Sequence, residues 1–466
     1  MMESENETSK PMPLEGIRVI EFGTFHAGPG ASAILGDLGA EVVKIEEAEG
    51  DPMRSWKEVG GIRFTMGDGE GFPFQFTNRN KQGIWLDIKK EKGREIFHRL
   101  IRVGDVFLTN LRKSTKKSLG IDYETLCKVN PRIIHASVSG FGQEGHLSDL
   151  GAFDPMGQAR SGMMFSTGSD HPRLVHLAVL DQTASIALSQ AILTALFVRE
   201  RRGVGQAVHI SLYGTALWMQ YAGLMITGCL YRNSVPEDRR MYSPLRNYFC
   251  CRDGKWIIGT HHPEQKYWPL LCEATGQTEL LHDPRFADIS RVVEDRPLLV
   301  DRFDRVFATK TRSEWIPILR AKGLMFGPVQ QMEDVLTDPQ ALSNGYVVEF
   351  DHRSVGRVKI PGYPVQFSAS SAGTRSSAPA TPTPRAIGRR LRSPPTAEAR
   401  GPTKHCRTSR CGPTGSSADP SPIPSRCWCR SSSARFRQIP SGRGPSGTTA
   451  RGKRSSDVPT TQSCDT

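Results

Sequence analysis

No cysteine spacing in this 466-residue chain suits a metal. Cys127, Cys229, Cys250, Cys251 and Cys272 are scattered. Of the C-terminal group, Cys406, Cys411, Cys427, Cys429 and Cys464, only Cys427 and Cys429 come close, as a CxC with no second pair and no histidine pair to complete a tetrahedral site. The basic residues lack aromatic interleaving and a helical face, so the net charge of +13 and pI near 9.4 do not imply nucleic acid. From Ser371 onward there are 17 Lys+Arg against 4 Asp+Glu, which leaves 44 bases and 44 acids upstream: the excess belongs to one segment and the rest is neutral. The opening stretch MMESENETSKPMP lacks the basic-then-apolar pattern of a secretory signal, and the expected location is the cytoplasm. Charge is also missing from Ser211 to Tyr231; glycines, Gln220 and several hydroxyls make that run a weak membrane span, and it reads instead as a buried core helix.

What is present begins at Gly16. GIRVIEF is an apolar run of strand length, GTFHAGPG a Gly/Pro-rich turn, ASAILGDLGA a short helix that Gly39 can cap, and EVVKIE a second strand. In this βαβ unit Gly28 and Gly30 let backbone N–H groups approach a ligand, and the helix aims its positive end at the same spot, which suits a phosphorylated guest. Gly28, Gly30 and Ala33 have the GxGxxA spacing of a dinucleotide fingerprint, but GTFHA separates them from the strand and Pro29 stiffens the turn. A tight connection that holds nothing is the plain alternative.

Further runs at Gly83 to Ile88, Asp105 to Leu108, Ile133 to Val138 and Val208 to Ser211 alternate with helical stretches at Lys90 to Val103, Tyr123 to Val129 and Gln182 to Arg201. Such alternation predicts an α/β fold, a doubly wound parallel sheet in a large domain, residues 13–224. From about Met225 the texture changes: YFCCRDGKWIIG reads as a hairpin turning at Asp253-Gly254 within a smaller α+β domain, 225–335, and 336–368 returns to the large domain with a strand pair. Residues 369–466 form a low-complexity basic tail that cannot bury a core. A well-patterned strand dissolves abruptly into this composition, which points to out-of-frame translation in preference to a native disordered tail.

Ligands in such sheets sit at the strand ends, so the polar loops there are the shortlist. They are Asn78 to Lys81, Thr109 to Lys113, Ser139 to Gly142, and Ser161 to Pro172. Lys81 and Arg112 offer cations to phosphates; Asn78, Asn80 and Asn110 can bond a sugar or an adenine edge. Three aspartates compete for a catalytic role. Asp154, before Pro155, and Asp181, before QTASIALSQAILTAL, read as helix caps. Asp170 sits in the turn TGSDHP with no helix behind it, beside Gly168, although a turn aspartate is commonly structural.

LEGIRVIEFGTFHAGPGASAILGDLGAEVVKIE, NRNKQGIWLDIKK, DVFLTNLR, ASVSGFGQEG, TGSD, RRGVGQAVHISL, MEDVLTDPQ and IPGYPVQFSA occur in family order, and the set resembles the class III coenzyme A transferases, the CaiB/BaiF group related to α-methylacyl-CoA racemases. The resemblance covers about Pro13 to Ala369. It implies an acyl-CoA and a carboxylic acid as substrates, no cofactor beyond coenzyme A, and an interlocked homodimer. Position by position, it implies that coenzyme A meets Phe25, His26 and Ala27; Asn78, Arg79, Asn80 and Lys81; Asn110, Leu111 and Arg112; and Ser139, Gly140, Phe141 and Gly142, with Asp170 as the catalytic carboxylate. The chain departs from the pattern at Glu47, where relatives can use arginine, at Ser139, where a lysine can occur, and in lacking a glycine run before the hairpin. The reaction implied passes through an aspartyl anhydride and an aspartyl-CoA thioester, and Gly-rich loops near Gly168 would supply oxyanion donors. Racemisation is the competitor within the family, but Phe153 stands where racemases place a histidine, while Asp181 keeps a second carboxylate. A CoA-binding protein without turnover, and more weakly a nicotinamide oxidoreductase, are the other readings.

Overall fold

The computed structural model describes residues 10–59, 61–66, 69, 71–230 and 237–380. Six parallel strands form the central sheet: β1 (Arg18–Glu21), β2 (Glu41–Glu46), β3 (Lys81–Trp85), β4 (Val106–Thr109), β5 (Ile134–Ser139) and β6 (Gln206–Ser211). Their spatial order is β3-β2-β1-β4-β5-β6, so the winding reverses between β1 and β4. That reversal opens a crevice beyond the carboxyl ends of these two strands.

Strand periodicity assigns the two faces. Val19, Val42, Val106 and Leu108 point to one side, where α1 (Ala27–Asp37) and α7 (Val179–Arg202) cover them. Ile20, Val43 and Phe107 point to the other, against Phe97 and Ile101 of α3 (Glu91–Val103) and Leu126 of α5 (Tyr123–Val129). Three further helices complete the site's surroundings: α2 (Phe72–Asn78), α4 (Lys113–Leu119) and α6 (Asp154–Arg160). The doubly wound sheet expected from the sequence is therefore present, with the strand and helix runs displaced by at most a few residues.

α7 is long and apolar enough to cross a membrane by length and composition alone. Its buried residues, Leu180, Ala184, Leu188, Ile192 and Ala195, recur at helical spacing and belong to the core between α1 and the sheet. The uncharged run after Ser211 does not form the single buried helix read from its composition. It breaks at Gln220 into α8 (Leu212–Met219) and α9 (Tyr221–Leu230), and Trp218, Tyr221, Leu224, Met225 and Ile226 are exposed on the single chain. Apolar composition states that a surface needs cover, not which surface supplies it.

A second core gathers around Trp268, Phe286, Phe303, Phe307 and Trp315. Its antiparallel sheet pairs β7 (Tyr248–Cys250) with β8 (Trp256–Gly259) through the expected turn, where Gly254 has φ 72°, and adds β9 (Phe326–Val329). β10 (Val347–His352) and β11 (Gly356–Pro361) form the late strand pair.

The first residues of the basic segment are not a free tail. Asn80 donates its N–H to the Ser376 carbonyl, and its side-chain oxygen accepts from the N–H groups of Arg375 and Ser376. Ala378 is buried beside Met53 and Phe74, and Arg54 donates to the Pro379 carbonyl. Backbone pairing with a buried asparagine orders this stretch where hydrophobic periodicity gives no sign of it. Residues 381–466, the remainder of that segment, lie outside the described residues.

Candidate active site

The turn after β1 is built from beneath by charge. Glu21, fully buried, accepts from Lys44 at 2.7 Å, from Lys81 at 2.6 Å and from Ser32. Burial opposes its ionisation, yet the two ammonium groups bring its carboxyl down to about 2. Burial likewise pulls Lys81 down to about 7, against the attraction of Glu21, whereas for Lys44 the nearby Glu21 and Asp51 outweigh burial and hold the ammonium above its ordinary range. Both lysines also donate to turn carbonyls, Lys44 to Gly23 at 2.8 Å and Lys81 to Pro29 at 2.8 Å. Lys81 is thus a buried strut, not the exposed phosphate cation expected from the sequence.

The rest of NRNK is also engaged internally. Asn78 donates to Phe74 and accepts from Lys81, Arg79 pairs with Asp37, and Asn80, at φ 60°, holds residues 373–376. These side chains shape the neighbourhood of the turn without offering a free edge to a nucleotide.

Across the crevice, Asn110 holds Thr24 from both sides, accepting its N–H at 3.0 Å and donating to its carbonyl. A Cβ at Gly23 would lie 2.8 Å from the Asn110 oxygen, so the close approach needs glycine there. Leu111 donates its N–H to the Thr109 hydroxyl. Arg112 is exposed beside Gly151 and has no ion pair among the described residues, so its guanidinium is open to an anion. One loop further, Ser139 accepts from the Gly142 N–H and bonds His209, Gly140 packs on Ala152 and accepts from Tyr213, and the Phe141 ring lies under Arg160.

Two aspartates meet at the start of α7. Asp154 does not cap its own helix; its carboxylate accepts the N–H groups of Leu180 at 2.6 Å and Asp181 at 3.0 Å, capping α7 from outside. Gln158 locks that carboxylate in place and bonds both backbone groups of Val175. With Asp154 doing the capping, the Asp181 side chain is left with no hydrogen bond among the described residues, and burial together with the Asp154 charge pushes its carboxyl up to about 7. Two left-handed residues, Leu177 at φ 67° and Ala178 at φ 54°, lead into this helix end, a strain of about 1–3 kcal/mol each that the surroundings must hold.

Asp181 belongs to the turn of α7 that meets the first turn of α1. Its neighbour Gln182 accepts from the His26 ring at 3.0 Å, and Ser185, one helical turn on, donates to the Ala27 carbonyl at 3.0 Å. Burial lowers the pKa of His26, whose Nε2 bonds the Gln182 side-chain oxygen. Phe25, at φ 61°, places its ring edge-on to Phe153 at 5.1 Å and to Trp56 at 5.8 Å.

Asp170 stands elsewhere. Its carboxylate is 81% exposed on the single chain, with His171 as its ion-pair neighbour at 3.6 Å. The Gly168 N–H, expected as an oxyanion donor, is taken by the Phe165 carbonyl. Sequence reasoning read Asp181 as a helix cap; the missing signal was that Asp154 already caps that helix, a contact across 27 residues that local pattern cannot show.

The family model for CoA-transferase family III matches residues 14–382. The chain belongs to this family. Its match extends through the residues that clasp Asn80. Among curated proteins, the chain is 33% identical over 361 residues to the (R)-2-hydroxy-4-methylpentanoate CoA-transferase of Clostridioides difficile, covering 76% of this chain and 89% of that one. It is 31% identical over 372 residues to the succinyl-CoA:glutarate CoA-transferase of Mus musculus, covering 78% and 83%. Among solved structures, a CAIB/BAIF family protein from Brucella suis superposes with a TM-score of 0.69 at 28% identity, covering 80% of this chain and 97% of that one. Rv3272 from Mycobacterium tuberculosis gives 0.68 at 26% identity, covering 80% and 97%. The protein is an enzyme of the CoA-transferase type, with coenzyme A as co-substrate.

Proposed function

We propose that this family III CoA-transferase carries CoA from an acyl-CoA to a free carboxylic acid on Asp170, the carboxylate that the family resemblance assigns to catalysis. The observation that supports this reading is an open carboxylate: Asp170 is 81% exposed on the single chain, in a glycine-bordered turn, with His171 as its ion-pair neighbour at 3.6 Å, whereas both Asp154 oxygens are engaged by Gln158 and the α7 backbone. One oxygen of Asp170 attacks the thioester carbonyl and expels CoA thiolate, which leaves a mixed anhydride. The thiolate attacks the aspartyl carbonyl, which releases the donor acid and leaves an aspartyl-CoA thioester. The acceptor carboxylate then displaces CoA thiolate to form a second anhydride, and the thiolate returns to the acceptor's carbonyl, which frees Asp170. Bonds made and broken match in kind at every step, and no net proton moves.

In the same reading coenzyme A follows the crevice past Phe25, His26 and Ala27 and Asn110 to Arg112, with Ser139 to Gly142 flanking it and Arg112 meeting a phosphate. The exposed apolar residues of α8 and α9 support a homodimer. Racemisation is disfavoured because both Asp154 oxygens are occupied and Phe153 carries no proton. Residence in the cytoplasm is part of the proposal.

Incubation with acyl-CoA followed by hydroxylamine and peptide mass spectrometry should place the hydroxamate on Asp170. Asp170→Ala should lower kcat at least about 10³-fold, while Asp181→Asn keeps kcat within about tenfold. A hydroxamate on Asp181 instead would move the assignment to that residue.

A further inference from the structure

The turn that carries Asp170 is closed at its base by its own backbone. Arg173 donates its N–H to the Met164 carbonyl at 2.8 Å, Gly168, at φ 82°, donates to Phe165 at 3.1 Å, and the His171 N–H donates to the Ser169 hydroxyl at 3.2 Å. The tip is met from outside the turn by Glu237, in the segment before β7. Its carboxylate accepts from the Arg173 guanidinium at 2.8 Å. Hydrogen bonds from Arg173, then from the Ser169 hydroxyl and the Asp170 N–H, hold that carboxyl below its ordinary range. Three donors of one turn thus converge on one acceptor.

We infer that Glu237 is a positioning residue for the reaction: its carboxylate gathers Ser169, the Asp170 N–H and Arg173, and so fixes the backbone of the nucleophile against the second core. The inference rests on Asp170 as the nucleophile. Glu237 can serve as a fixed point because the residues after it are rooted in that core. Asp238 accepts the Arg240 N–H at 2.9 Å, Arg239 pairs with Asp304 at 2.5 Å and donates to the Tyr248 carbonyl at 3.2 Å, and Asn247 donates to the Arg239 carbonyl at 2.8 Å. The Arg173 and Glu237 side chains remain 63% and 43% exposed, so their pair adds little to stability and its consequence is geometric. A carboxylate at the tip of an open turn has many orientations, and a held backbone removes most of them before the thioester arrives; a misplacement of about 1 Å costs on the order of a hundredfold in rate. The gain falls on the attack and not on CoA binding, because the partners of Glu237 belong to the turn and not to the residues assigned to coenzyme A.

The test compares Glu237→Ala, which removes the acceptor, with Glu237→Gln, whose amide oxygen still accepts from the turn. Glu237→Ala should lose about 10–100-fold in kcat while KM for acyl-CoA stays within about threefold, and Glu237→Gln should recover to within about fivefold of the parent. Both should melt within about 3 °C of the parent. A loss below tenfold in Glu237→Ala, a loss that Glu237→Gln shares, or one that appears in KM alone overturns the inference. A melting temperature that falls with the rate assigns Glu237 to stability and overturns it too. Full activity in Asp170→Ala, or a hydroxamate on Asp181, would instead defeat the nucleophile assignment, whichever way Glu237 behaves.

Discussion

At the scale of single residues, the sequence named the right neighbours and misread their charges. Asp154 and Asp181 were both visible as helix-start aspartates, yet one carboxylate caps the α7 backbone and the other is left half-buried with no hydrogen bond among the described residues. The division of labour has a thermodynamic sign. Asp181 has its carboxyl raised from the usual carboxylate range to about 7 in the folded state, so between about pH 4 and 7 the folded chain binds a proton that the unfolded chain has lost. Stability therefore falls as pH rises through that window and levels off above it. Asp181→Asn should remove this penalty and raise stability at pH 8 by about 1–3 kcal/mol in denaturant titrations, with the gain vanishing near pH 4. A variant less stable than the parent at pH 8 would contradict the buried, uncompensated carboxyl.

Elements meet at the site through glycine and serine. A Cβ on Gly30 would stand 2.3 Å from the Ser185 hydroxyl and 3.0 Å from its Cβ, so α1 and α7 approach only because one lacks a side chain. Gly30→Ala should cost about 1–3 kcal/mol by overpacking and should lower kcat by parting His26 from Gln182. Ser185→Gly in that background should recover part of both, which calorimetry and steady-state rates would show; no recovery would place the clash elsewhere. The βαβ unit was legible from its apolar runs and turn. The role of NRNK was not, because its partners, Asp37, Glu21 and residues 373–376, are distant in sequence.

For the whole molecule, two surfaces carry the consequences. The apolar side of α8 and α9, with Trp218 74% exposed, is expected to be covered by a second copy; light scattering should give a dimer, and Trp218→Asp with Ile226→Lys should weaken it. The second surface is the contact made by 371–380. A chain ended after residue 381 should keep its melting temperature and activity. One ended after residue 370 strands the Asn80 amide and uncovers Met53, and it should lose a few kcal/mol by the summed hydrogen bonds.

By itself the sequence determined the doubly wound sheet, the hairpin of the smaller core and the first βαβ unit, though α1 already begins at Ala27 within the run read as a turn, because each depends on periodicity and turn chemistry within about thirty residues. Only the tertiary structure decided which aspartate caps α7, that Lys81 is a strut, and that residues 371–380 belong to the fold. Those outcomes depend on desolvation and on partners brought together across long stretches of chain, and neither is written in local pattern.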